Sequence, residues 1–226
     1  MKNSILCCLL SLLIASSCTK DNHLESSINP SLRKQPEVKG QTLQRAHSTT
    51  SAVYNGVTGD KVGQAKLVRN KNGIPVNFSA NDLTPGYAYT LWWVIWNKPE
   101  NCTEPFACSD ADFLIADAVE VEVLYAGGHV VGNSGLGNFS AHVKEGDDSE
   151  SINELFELNG YGGLQDAQAA EIHAVLRNHG PVIPDQAAEQ INSYLGGCVT
   201  DLGVFTEVPD EEGECADTHF AVFLAL

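Results

Sequence analysis

The segment Tyr87–Trp96 (YAYTLWWVIW) constrains this chain more than any other. As a strand it sets Tyr87, Tyr89, Leu91, Trp93 and Ile95 on one face and Thr90, Trp92, Val94 and Trp96 on the other, because side chains alternate with a period of two. Neither face suits water, so the segment has to be a central strand covered on both sides. Its neighbours follow from Ser51 onward, where short alternations of apolar and polar residues are broken by Gly, Asn, Asp and Pro. Strands are expected at Ala52–Val57, Gly63–Arg69, Val76–Ser79, Tyr87–Trp96, Val119–Tyr125, His129–Val131, Gly137–Val143, Ala170–Asn178 and His219–Ala225. The pairs Asn72-Gly73, Pro85-Gly86, Gly127-Gly128 and Gly180-Pro181 supply turn chemistry between them.

The best helical pattern is Gln186–Leu195, with Asp185 as N-cap, Ala187, Ile191 and Leu195 on one face and Gly196-Gly197 closing it. Ser151–Leu158 is a second, shorter candidate that also reads as a strand. The expected fold class is therefore mainly β: an antiparallel β-sandwich with one or two short helices, occupying residues 51–226.

The amino terminus reads as an address. Met1 and Lys2 precede Ile5–Ala15 (ILCCLLSLLIA), an apolar run too short to span about 30 Å of hydrocarbon. Ala15, Ser16 and Ser17 then lead into Cys18, which resembles the lipobox of bacterial lipoproteins. That resemblance implies a signal peptide at 1–17 and a lipidated Cys18 as the membrane anchor, in the bacterial cell envelope at the periplasmic or outer-membrane surface. The alternative is an A-x-A-like site, Ala15 to Ser17, cut by ordinary signal peptidase. Residues 18–50 carry two Pro, many Ser, Thr, Asn and Gln and few large apolar groups, so they read as a flexible tether.

Charge separates the parts further. Residues 51–226 hold 7 Lys+Arg against 26 Asp+Glu, and the whole chain has a formal net charge of −16. No broad cationic surface is left to neutralise phosphates, so nucleic acid is excluded as a partner. Cys102, Cys108, Cys198 and Cys215 suit an oxidising compartment, where they form two disulfides. Nearest neighbours pair most simply, Cys102 with Cys108 and Cys198 with Cys215, although three connectivities are formally open. A thiolate metal site is the rival, but its usual spacing of paired cysteines is missing.

Three constellations bear on chemistry. Indole faces at Trp92, Trp93 or Trp96 would stack on sugar rings if exposed, giving a glycan-binding surface; buried, they fill the core. Glu171 with His173, and Asp217 with His219, each place an acid and an imidazole two residues apart on a strand face. Were the two strands neighbours, the four would form a mixed nitrogen and oxygen site for zinc or copper, of a kind that binding proteins and enzymes both use. The acid-rich stretches Lys144–Glu150 (KEGDDSE) and Asp210–Asp217 (DEEGECAD) offer oxygens to calcium without the twelve-residue EF-hand spacing. No G-x-S-x-G, H-E-x-x-H or Walker-type motif occurs. A binding or structural domain without evident catalysis is the leading expectation.

The strand and Pro85-Gly86 turn followed by a cysteine-bearing loop, with Gly128-His129 and His179-Gly180-Pro181, faintly resemble copper/zinc superoxide dismutase and chordin-type β-sandwiches. Where the dismutase family carries an H-x-H metal pair, Tyr89–Trp93 has no histidine, so the resemblance implies the sandwich and not redox catalysis. The runs Pro85–Pro99 (PGYAYTLWWVIWNKP), Ala126–Val131 (AGGHVV) and Glu171–Pro184 (EIHAVLRNHGPVIP) resemble a set of exported bacterial lipoproteins without an assigned activity. This similarity covers most of residues 75–200 and brings no catalytic residues with it.

Overall fold

The computed structural model describes residues 46–226; the expected signal peptide, Cys18 and nearly all of the expected tether lie outside the described residues. Nine strands form one curled sheet: β1 (His47–Asn55), β2 (Lys61–Arg69), β3 (Ile74–Ala80), β4 (Tyr87–Trp96), β5 (Val121–Val130), β6 (Gly137–Val143), β7 (Glu171–Pro181), β8 (Thr200–Val204) and β9 (Glu214–Phe223). Residues His47–Thr50, assigned to the tether on composition, belong to β1.

The spatial order is β5-β4-β7-β9-β1-β2-β3-β6, every pair antiparallel, with β8 added in parallel to β9. The two ends of this order are consecutive in the chain, and they approach each other. His129 on β5 stacks on Phe139 of β6 with ring centroids 4.2 Å apart. The expected antiparallel β class holds, in the form of a single sheet that nearly closes on itself.

Inside lies the main core, which includes Val53, Leu67, Phe78, Leu91, Trp93 and Ile95, each at most 1% exposed. Burial of side chains this large contributes about 1.5–3 kcal/mol apiece. The outer face of β4 is covered as well. Trp96, Cys102, Cys108, Val119 and Val121 form a second cluster beneath the segment between β4 and β5, which carries two short 3-10 turns and α1 (Ala116–Val119). Central placement of β4, expected from its doubly apolar sequence, is what the topology shows.

Two local features depart from the sequence pattern. Val119–Tyr125 and His129–Val131, expected as separate strands, are largely one strand, β5, running through Gly127-Gly128. There the register against β4 slips between Leu91 and Trp92, a bulge rather than a turn. A Cβ on Gly128 would stand 2.3 Å from the carbonyl oxygen of Ile191, so glycine is required by close approach of the overlying segment.

The helix expected over Gln186–Leu195 is a single turn, α2 (Ala187–Gln190). Tertiary hydrogen bonds override the helical pattern. The buried Gln190 amide accepts from the Ile183 N–H and donates to the His179 and Pro181 carbonyls. Beyond it the carbonyls of Ile191, Tyr194 and Gly196 accept from Tyr125, Arg177 and His179. The segment is laid out flat over the sheet by these bonds. Ser151–Leu158 contains one short 3-10 turn, Asn153–Phe156.

Candidate functional site

The outer face of the sheet, between β5, β4, β7 and β9, carries an apolar cavity of about 290 Å³. Its floor is made by Trp92 and Val94 of β4, Val123 of β5 and Val175 of β7. Alternation brings these outward-facing side chains together across neighbouring strands. The roof comes from four connecting segments, which contribute Phe113, Phe156, Tyr194 and Phe205. Asp110 and Asp217 are its charged lining residues. A second cavity of about 220 Å³ shares Val94, Asp110, Val175 and Phe205 with it and continues toward Cys108 and His173.

An ionic cluster around a buried arginine fixes one wall. Arg177, fully buried on β7, donates to Asp217 Oδ1 at 3.1 Å and to Asp201 Oδ2 at 2.9 Å. Its Nε donates to the Tyr194 carbonyl at 2.9 Å, and its guanidinium carbon sits 3.9 Å from the centre of the Tyr194 ring. The Tyr194 hydroxyl donates to Asp217 Oδ2 at 3.1 Å. Burial works against the Arg177 charge, but Asp217, Tyr194 and Asp201 outweigh it and hold its pKa above the ordinary value. Tyr194 is held well above its ordinary value by burial and by the Asp217 charge. It therefore stays a neutral hydroxyl that positions the roof.

Beneath the same segment runs a relay of uncharged hydrogen bonds. Gly196 presents a carbonyl, which only accepts, to His179 Nδ1 at 3.0 Å, so that nitrogen carries the proton. His179 Nε2 then accepts from the Thr90 hydroxyl at 2.8 Å, and Thr90 Oγ1 accepts from Trp92 Nε1 at 2.7 Å. Burial, with the Arg177 charge, pushes His179 down to about 4. An unfolded histidine takes up a proton near 6.5 while the folded one stays neutral, so acid favours unfolding across that interval. Stability should be fully present above pH 6.5 and fall by about 3 kcal/mol as pH drops toward 4. Urea melts between pH 7 and 5 test this, since His179→Gln should flatten the slope; an unchanged slope would assign it to other groups.

The disulfides are Cys102–Cys108 and Cys198–Cys215, the nearest-neighbour pairing. Both sulfurs of the second lie close to His179 Nδ1, at 3.6 and 3.7 Å. Being joined to each other, they pack against the imidazole as a cross-link rather than as thiolates.

The four residues considered for zinc or copper do not converge. Strands β7 and β9 are neighbours, as that site required, but His173 pairs with Val222 and Arg177 with Asp217. Glu171 and His173 do form a pair, 2.8 Å apart, with Glu171 also accepting the Cys108 N–H. Asp217 and His219 part company because the register slips: Leu176 faces His219 and Arg177 faces Asp217, leaving Thr218 as the extra residue of a bulge. Asp217 thus faces the outer cavity, while His219 turns to the opposite face, where its Nε2 meets Asp82 Oδ1 at 3.1 Å. Alternation alone had placed both on one face.

The indoles also differ from a sugar platform. Trp92, Trp93 and Trp96 are 2%, 1% and 0% exposed, so none offers an open face. Trp93 packs in the inner core, Trp96 lies edge-to-face with Phe113 and His173, and Trp92 with Tyr125 and Tyr194. Of the acid-rich stretches, Asp147 accepts from Ser149, and Glu214 accepts the N–H groups of Asp210 and Glu211.

Sequence reasoning missed the roof. Phe113, Phe156, Tyr194 and Phe205 share one readable signal: each is an aromatic residue outside the strands, with no sheet position to bury it. No protein-family model matches the chain, and no curated protein matches it.

Proposed function

We propose that residues 46–226 form an extracytoplasmic binding module, held at the membrane by a lipidated Cys18 and its tether, that takes a compact apolar small molecule into the outer-face cavity. The observation that carries this reading is the construction of that cavity. Four separate segments each commit an aromatic side chain to its roof, and one of these, Tyr194, is held by the Arg177 cluster beside the Cys198–Cys215 cross-link. A volume of about 290 Å³ is at the low end of small-molecule sites and suits a ligand of roughly a dozen heavy atoms. The leader and the Ala15–Cys18 sequence support envelope placement, and the two disulfides suit it.

Two measurements test the parts separately. Cells grown with an alkyne-tagged fatty acid should label the wild-type chain and not Cys18→Ser; equal labelling of both removes the anchor. For the cavity, 4-phenylbutan-1-ol should perturb Trp fluorescence saturably, and Val175→Phe, which fills the floor, should weaken that binding at least tenfold without lowering the melting temperature. Equal binding by the two chains would show that the alcohol sits elsewhere.

A further inference from the structure

We infer that the ligand of this cavity is an organic cation, an alkyl- or arylalkylammonium whose head lies at Asp110 and whose apolar tail lies against Trp92 and Tyr194. The inference rests on the cavity being a binding site and adds the ligand's charge.

The lining carries two aspartates and neither lysine nor arginine. Their situations differ. Asp217 is committed, receiving Arg177 and the Tyr194 hydroxyl. Asp110 is solvent-exposed where the two cavities meet, and its carboxyl has no protein hydrogen bond among the described residues; desolvation by the cavity wall raises its pKa, opposed by the nearby His173. A water-accessible carboxylate at the mouth of an apolar chamber, without a protein donor, is a place for a charged donor brought by the ligand.

The local charge balance has the same sign. Arg177 meets two acids, Asp201 and Asp217; burial raises the Asp217 pKa against the pull of Arg177, and the cluster has no surplus of positive charge. The rings of Trp92, Phe113, Tyr194 and Phe205 surround the space, and aromatic faces attract ammonium groups most strongly where water is excluded. An anionic ligand would bring a like charge beside Asp110, and Arg177 is already engaged by Asp201 and Asp217. A neutral ligand would gain the apolar walls and leave Asp110 to water, without a charged partner. The 26 acids against 7 bases in residues 51–226 raise the concentration of cations around the mouth.

The test uses three probes with one carbon skeleton: 4-phenylbutylammonium, 4-phenylbutan-1-ol and 4-phenylbutyrate, titrated into the oxidised protein at pH 8 and low ionic strength. The ammonium should bind at least tenfold more tightly than the alcohol, and the carboxylate most weakly. Asp110→Asn should remove most of the ammonium's advantage and leave the alcohol's affinity within about twofold. That second arm separates a local carboxylate from the general field of an acidic protein, and added salt should reduce only the general part. Equal binding of ammonium and alcohol, or an unchanged preference in Asp110→Asn, overturns the cation assignment while leaving the cavity as a site. Failure of all three probes to bind overturns both.

Discussion

Replacing Arg69 with Met should lower the unfolding free energy by about 4 kcal/mol, the largest single-site effect expected in this domain. Arg69 is fully buried at the end of β2, on the face that carries Leu67 into the core. Its guanidinium donates to four backbone carbonyls: Ala167 at 2.6 Å, Ala170 at 2.9 Å, Phe223 at 3.2 Å and Leu224 at 2.9 Å. It thereby joins β2, the segment before β7 and the end of β9. Burial lowers its pKa to about 10, which still leaves it charged at neutral pH. Methionine fills much of the volume but leaves those acceptors without donors, each costing about 1–3 kcal/mol unless water enters. Arg69→Lys should recover only part of the loss, because one ammonium does not span four carbonyls. Urea melts with unchanged m-values would measure it. A shift below about 1 kcal/mol would mean that water replaces the guanidinium.

The second large effect is expected on removing Cys198–Cys215. The bridge joins residues 17 apart in sequence, so its loss in Cys198→Ser/Cys215→Ser should cost about 3 kcal/mol in the chain-entropy account. Cys102–Cys108 closes a span of only 6 residues, and its removal should cost about 1 kcal/mol less. The two should also differ in function. Just before Cys198 lie the roof residue Tyr194, held by Arg177, and Gly196, held by His179, so losing this cross-link should weaken 4-phenylbutan-1-ol binding several-fold even under conditions where the chain stays folded. Unchanged affinity in the folded double variant would show that the hydrogen bonds alone hold the roof.

Much of the scaffold was legible in the chain. Tyr87–Trp96 and Gly137–Val143 have the bounds that their sequences indicate, because strong alternation and clean turn residues coincide there. The disulfide pairing followed from proximity in sequence. Strand β8 was invisible, since Thr200–Val204 (TDLGV) lies exposed or half-exposed beside β9, with no buried face to impose a pattern. Gln186–Leu195 has a genuine helical stripe, yet carbonyls needed by Tyr125, Arg177 and His179 hold it flat. Such competition is decided by residues distant in sequence, which local periodicity does not encode. Arg177 and His179 stand two residues apart on β7, but their roles depend on partners from the segment crossing above, the Tyr194 and Gly196 carbonyls.

The extra residue at Thr218 has a consequence for how this protein tolerates change. Strand β9 carries an acid, a hydroxyl and an imidazole in sequence, and which compartment receives the acid depends on counting from the end of the strand. Closing the bulge without shortening the strand, so that Thr218 and not Asp217 faced Arg177, would turn the Asp217 carboxylate to the inner face and take from Arg177 one of its two acids, with no amino-acid type altered. Register, more than identity, decides the acid's place at that point, and loss of Thr218 alone, which leaves Asp217 beside His219 and still opposite Arg177, should be tolerated better than replacement of Asp217.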